Sequence, residues 1–195
     1  MAAQPLILAS RSPQRRAILE QLGIPFEVSV PEVEESGRGD PRSLVVENAL
    51  RKARAVEGPL VLGVDTEVVL DGRAFGKPAS AEAAETLLRR LSGRTHEVWS
   101  GIALRRRGEE RTSSAVTRVR FRGLEQRDID WYVAGGEWRE RAGGYAIQGR
   151  GAALVEEIAG DYWNVVGLPV AELVRLAPEL LLAGISPHLT AAAEP

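Results

Sequence analysis

An α/β fold with a single domain is predicted for this 195-residue chain, and three observations predict it. Short apolar, strand-like runs alternate with segments of helical spacing. Hydrophobic residues make up 44%, enough for a sizeable core in one domain. No linker, internal repeat or low-complexity block divides the chain. The expected domain spans 1–195, with an ordered core over about 5–187 and a tail over 188–195.

Leu6 to Ala9 reads as a short buried strand. Ser12 stands at an N-cap position and Pro13 at the first helical position, where its missing N–H costs nothing. The helix that follows carries Ile18, Leu19 and Leu22 on one face and stops near Gly23. Phe26 to Val30 alternates with period two and reads as a second strand. Glu32 to Pro41 is acidic and turn-rich, an exposed loop. Arg42 to Val56 has helical spacing, with Leu44, Val45, Ala49, Leu50 and Ala53 as its buried stripe. Pro59 to Val64 reads as a buried strand ending at Asp65-Thr66, and Glu67 to Leu70 continues as strand into the Asp71-Gly72 hairpin turn. Ser80 caps a helix running to Leu91. Glu97 to Arg106 and Ser113 to Arg122 pair across Arg107-Gly108. Gln126 to Ala134 is a helix with Ile129 and Val133 on one side, Ala152 to Ile158 a late strand, and Leu168 to Leu182 a C-terminal helix. Ala191 to Pro195 is a frayed tail.

Composition excludes several function classes. Twenty-five basic and 27 acidic side chains leave a net charge of -2, so nothing global points to nucleic acid or an anionic membrane. There is no cysteine, which rules out disulfides, thiol nucleophiles and thiolate zinc sites. His96 and His188 are too few for a multi-histidine metal centre. A metal here needs oxygen ligands, which favours magnesium or manganese. No signal peptide or membrane-spanning run is visible, so a cytoplasmic location is expected.

Local patterns suggest where chemistry lies. The strand-to-helix corner at Ala9–Arg16 aims free amides and a positive dipole end at one point, with Arg11, Arg15 and Arg16 nearby. That suits a phosphate, although an ordinary corner with solvated arginines reads the same way. Asp65 closes an apolar run at what reads as the carboxyl edge of a strand, where open α/β sheets bind ligands. Thr66 adds a hydroxyl, and Lys77 follows in Gly76-Lys77-Pro78. Glu34 and Glu35 in the acidic loop are candidate oxygen ligands for a divalent ion, or a solvated face. In Arg141 to Gly151, Gln148 could read a base edge and Tyr145 stack on it; a glycine-rich turn around a buried tyrosine is the competing reading. His96 is read as structural. Asn164 receives no role. The four tryptophans, Trp99, Trp131, Trp138 and Trp163, are core or interface candidates.

Taken together, Leu6–Leu22, Gly63–Leu70, Gly76-Lys77-Pro78, Leu91–Val98, Ala142–Gly151 and Gly160–Pro169 resemble the Maf family of nucleoside triphosphate pyrophosphatases, and the likeness runs from Leu6 to about Leu176. The resemblance implies an elongated, two-lobed Maf/ITPase-like fold, in which helices flank a central twisted mixed β-sheet and a cleft lies between the lobes. It implies hydrolysis of a nucleoside triphosphate to the monophosphate and diphosphate with a divalent cation, Mg2+ or Mn2+. That activity limits incorporation of non-standard nucleotides. The family's proton acceptor falls on Asp65, and its phosphate and metal residues fall on Ser10, Arg15, Glu34, Lys52 and Lys77, with Glu34 and Asp65 as metal ligands. Thr66 and Gln148 look like the dTTP/UTP branch; a 7-methyl-GTP branch carries glutamine and glutamate there. The third specificity position holds Gln14, where the first branch has arginine and the second often tryptophan. Gln14 matches neither, so modified pyrimidine nucleotides join dTTP and UTP as expected substrates. The alternatives are a 7-methyl-GTP pyrophosphatase and a nucleotide-binding regulator of septum formation without catalysis. The resemblance also implies a homodimer and a link to cell division; no nucleic acid or membrane partner is expected.

Overall fold

A computed structural model describes residues 5–36 and 39–183. His188 and the expected tail lie outside the described residues. The chain runs β1 (Leu6–Ala9), α1 (Pro13–Gln21), β2 (Phe26–Val28), α2 (Pro41–Arg54), β3 (Leu60–Leu70), β4 (Arg73–Phe75), α3 (Ala81–Leu91), β5 (Thr95–Arg106), β6 (Glu109–Phe121), α4 (Gln126–Ala134), β7 (Val155–Ala159), α5 (Tyr162–Val166), α6 (Val170–Leu176) and α7 (Glu179–Ala183). These strands form one mixed seven-stranded sheet in the order β2-β1-β3-β5-β6-β7, with β4 paired to β3. β1 is parallel to both neighbours, and the β3, β5, β6 and β7 pairings are antiparallel. An α/β class with a mixed sheet flanked by helices is therefore what the chain adopts. No helix among the described residues is long and apolar enough to cross a membrane.

Three apolar clusters hold the layers together. Around β1, the first half of β3 and the second half of β5, the residues Leu8, Leu19, Leu62, Ile102 and Leu173 pack α1 and α6 onto the sheet. At the other end, Leu88, Leu91, Phe121, Ile129 and Tyr132 bury α3 and α4. A small third cluster, Ala9, Ala49, Ala53, Val61 and Ala103, lies under α2. Here the approach is unusually close. A Cβ on Gly63 would stand 2.1 Å from the Ala49 carbonyl oxygen, and one on Gly101 2.2 Å from that of Val45. Only glycine lets α2 lie this near the sheet.

Four expectations are corrected. β3 does not end at Asp65-Thr66 but runs unbroken for 11 residues, held by ten consecutive pairings with β5. The carboxyl edge near Asp65 belongs to β1, which ends at Ala9 beside Gly63. β2 stops at Val28, paired with Leu8; the Ser29 N–H still reaches the Leu8 carbonyl at 3.1 Å, and Pro31 has no N–H to carry the ladder further. Ala152–Leu154 is part of a 3-10 turn, with the Ala152 N–H on the Gly149 carbonyl, and the strand starts at Val155. The single C-terminal helix is in fact α6 and α7, broken at Ala177-Pro178, where proline cannot donate into the helix. The Asp71-Gly72 turn and the Ser80 cap form as expected, with φ of 53° and 72° at the turn and the Ser80 hydroxyl accepting from the Ala83 N–H.

Candidate active site

Asp65 is 3% exposed and lies midway along β3, opposite Gly101 on β5. Because Gly63 and Gly101 draw α2 against the strands, Asn48 and Lys52, one helical turn apart, reach the carboxylate from the same side. Lys52 Nζ donates to Asp65 Oδ1 at 2.6 Å, and Asn48 Nδ2 donates to Oδ2 at 3.0 Å. Lys52 also donates to the Val64 carbonyl at 3.3 Å and pairs with Glu35 Oε1 at 2.7 Å, so its three protons face three oxygens. Asn48 fixes the acidic loop as well: the Ser36 N–H donates to Asn48 Oδ1 and Asn48 Nδ2 donates back to the Ser36 carbonyl. That clasp delivers Glu35 to Lys52.

The opposite side of β3 is organised by Arg15. This guanidinium is 8% exposed and donates to the Gly167 carbonyl at 2.9 Å, Ser10 Oγ at 3.0 Å and Thr66 Oγ1 at 3.2 Å. Burial lowers its pKa, while the charges of Asp65 and Glu35 oppose the shift. Three of its five N–H groups are thus spent on the protein, tying the start of α1 to β3 and to the turn after α5. Thr66 is further held by Ser100 Oγ at 2.9 Å.

All of this opens onto a cleft of about 720 Å³. Its lining includes Ser10, Gln14, Arg15, Lys52, Asp65, Thr66, Lys77 and Gln148, eight of the nine site residues expected from sequence. Ser12–Arg15 line it too, so the N-terminus of α1 faces the cavity. Ser12 does not cap α1 through its side chain; its hydroxyl donates to Gln14 Oε1 instead. Lys77 lies at the mouth, paired with Glu140 at 2.8 Å, and both are exposed.

The ninth residue, Glu34, is exposed and does not line the cleft; Glu35 does. The clasp on Ser36 explains the one-residue difference, because it aims Glu35 at Lys52. Glu67 was missed altogether. It lines the cleft two residues beyond Asp65 on the same side of the strand. Its Oε2 is buried without a partner. Burial, then the neighbouring charges of Asp65 and Glu35, push its carboxyl up to about 7. The alternation Asp65-Thr66-Glu67 could have shown that both acids face one way.

Tyr145 does not offer a free face to a base. Its hydroxyl meets His96 Nε2 at 2.9 Å, and its ring packs edge-on against His96 and Phe121. His96 is structural: burial pulls its pKa down to about 4, so it stays neutral. Asn164 is fully buried and donates to the Val98 carbonyl and Thr117 Oγ1, joining α5 to β5 and β6. Trp138 is core, whereas Trp131 is 47% exposed beneath the Arg150 guanidinium.

Several known proteins are similar to this chain. A protein named dTTP/UTP pyrophosphatase from Symbiobacterium thermophilum is 52% identical over 89% of this chain and 92% of its own. Proteins of the same name from Thermus thermophilus and Methylococcus capsulatus are each 48% identical, over 88% and 93% of this chain and 92% and 96% of theirs. Among solved structures, the Staphylococcus aureus Ham1 protein is a loose likeness, with TM-score 0.44 and 18% identity over 60% of this chain and 72% of that one. The family described as "Maf-like protein" matches residues 5–180, and the chain belongs to it.

Proposed function

We propose that this chain hydrolyses dTTP and UTP to the nucleoside monophosphate and diphosphate. The names of the relatives support the reaction and the base. The observation that carries it is the buried Asp65 carboxylate, fixed from two sides by Lys52 and Asn48 at the wall of a cleft sized for a nucleotide. In this reading water attacks the α-phosphorus and passes its proton to Asp65, and the bond to the β-phosphate breaks with release of diphosphate. The amides at the start of α1 and Lys77 face the phosphates, and the charges of Arg15 and Lys52 beside them add attraction.

A divalent cation fits these residues. Glu67 Oε2 is a buried carboxyl oxygen without a partner, and the charges of Asp65 and Glu35 act on it. Among the described residues no three or more acids and histidines converge into a ready cage. That donor set suits Mg2+ or Mn2+, which take one or two carboxylates and complete their shell with phosphate oxygens and water. Asp65 with Glu35 or Glu67 would hold the ion, which when bound neutralises charge on the phosphate oxygens. The homodimer and a role in cell division rest on family resemblance, and the cytoplasmic location on the sequence reading.

Gln14 in the cleft keeps 7-methyl-GTP as the second reading. The test is diphosphate released from dTTP, UTP, 7-methyl-GTP and ATP with magnesium. Fastest release from dTTP and UTP is expected; preference for 7-methyl-GTP moves the substrate, and no release from any leaves a nucleotide-binding protein without catalysis.

A further inference from the structure

The cations expected to hold the triphosphate are largely engaged within the protein. Lys52 has its three protons on Val64, Asp65 and Glu35; Arg15 has three N–H groups on Gly167, Ser10 and Thr66; Lys77 is paired with Glu140. Arg141 is the contrast. It lines the same cleft and is half-buried. Its Nε is buried and has no hydrogen-bond partner. Glu137, the acid whose charge acts on it, is committed elsewhere, with Oε2 accepting the Arg150 N–H at 2.7 Å. A desolvated guanidinium that the protein leaves unpaired is costly unless something else completes it.

Its position says what that is. The loop carrying Arg141 is joined to the loop carrying Lys77 by the Gly143 N–H on the Gly76 carbonyl at 3.3 Å and by the Lys77–Glu140 ion pair. Arg141 and Lys77 are therefore two cations on touching loops of one cleft wall. A guanidinium fork beside an ammonium matches successive phosphate groups, the fork taking two oxygens at once.

We propose that Arg141 is a substrate-binding residue whose guanidinium takes phosphate oxygens of the triphosphate beside Lys77. This rests on the pyrophosphatase reading above. The test is calorimetric titration of wild type, Arg141→Met and Arg141→Lys with magnesium diphosphate and, separately, with thymidine. Diphosphate binding should weaken about tenfold or more in Arg141→Met and by less in Arg141→Lys, which keeps the charge but loses the fork. Thymidine binding should not change. Diphosphate binding equal to wild type in both variants overturns the proposal. So does a loss confined to thymidine, which would make Arg141 a base reader. Should the methionine variant not fold, the lysine variant decides. Wild-type protein that binds no diphosphate also overturns it, and a parallel assay of diphosphate release from dTTP shows separately whether the proposed reaction stands.

Discussion

The two walls of the cleft are built differently. On the sheet wall, Asp65, Lys52, Asn48 and Arg15 are all less than a tenth exposed, and each makes two or more hydrogen bonds to the protein. On the loop wall, Lys77 and Glu140 are exposed and share a single ion pair, Gln148 is exposed, and the Arg141 guanidinium has an unpaired nitrogen. A group that must act in one geometry belongs on rigid elements with its rotamer fixed by neighbours. Groups that must release water or an internal partner to take a ligand belong on loops. Under the proposed function, the difference puts chemistry on the sheet wall and substrate capture on the loop wall.

That contrast can be broken on either side. Lys52→Met should be the most damaging to stability, by about 3–5 kcal/mol in urea unfolding, because it leaves Asp65 buried without its charge partner. A loss below about 1 kcal/mol would mean that the sheet wall is not held by this pair.

Glu67 gives a pH test of the same wall. Its carboxyl is pushed up to about 7 from an ordinary 4.5, mainly by burial. Between these values the folded chain binds more protons than the unfolded one, so Glu67 makes stability fall as pH rises through the window. Without divalent ions, Glu67→Gln should be more stable than wild type at pH 8, by about 2 kcal/mol, and the gain should vanish at pH 4. Equal unfolding midpoints at pH 8 contradict the placement.

Substitutions on the loop wall should move binding and selectivity, leaving stability alone. Gln148→Glu turns an amide that donates and accepts into an acceptor only, and should reduce the preference for UTP over 7-methyl-GTP in kcat/KM by about tenfold. An unchanged ranking removes Gln148 from base recognition. The smallest effect is expected for Glu140→Gln. Exposed ion pairs are weak, so freeing Lys77 should lower the KM for dTTP by at most about fivefold. A rise in KM would show that Glu140 orients Lys77 instead of competing for it.

Legibility in the sequence followed the range of the interaction. β1, the Ser80 cap, α4 and the Asp71-Gly72 turn depend on residues within one turn or one strand, and each was readable from its own segment. The unbroken passage of β3 through Asp65-Thr66 was not, because it is set by pairing with β5, some 35 residues away. Glu35 and Glu34 are indistinguishable in a run of acids; the choice is made by Asn48 clasping Ser36, a contact across 12 positions. The surroundings of Arg15 and Arg141 were equally out of local reach. The bond of Arg15 to Gly167 spans 152 positions, and no local pattern predicts that Arg141 is left unpaired.

The most direct test of the division between the walls is Asp65→Asn, assayed for diphosphate release at saturating dTTP below its unfolding midpoint, with diphosphate binding measured alongside in the absence of divalent ions. The division predicts that kcat falls by about 10²–10⁴-fold while diphosphate binding stays within a few-fold of wild type. Turnover within a few-fold of wild type would contradict it.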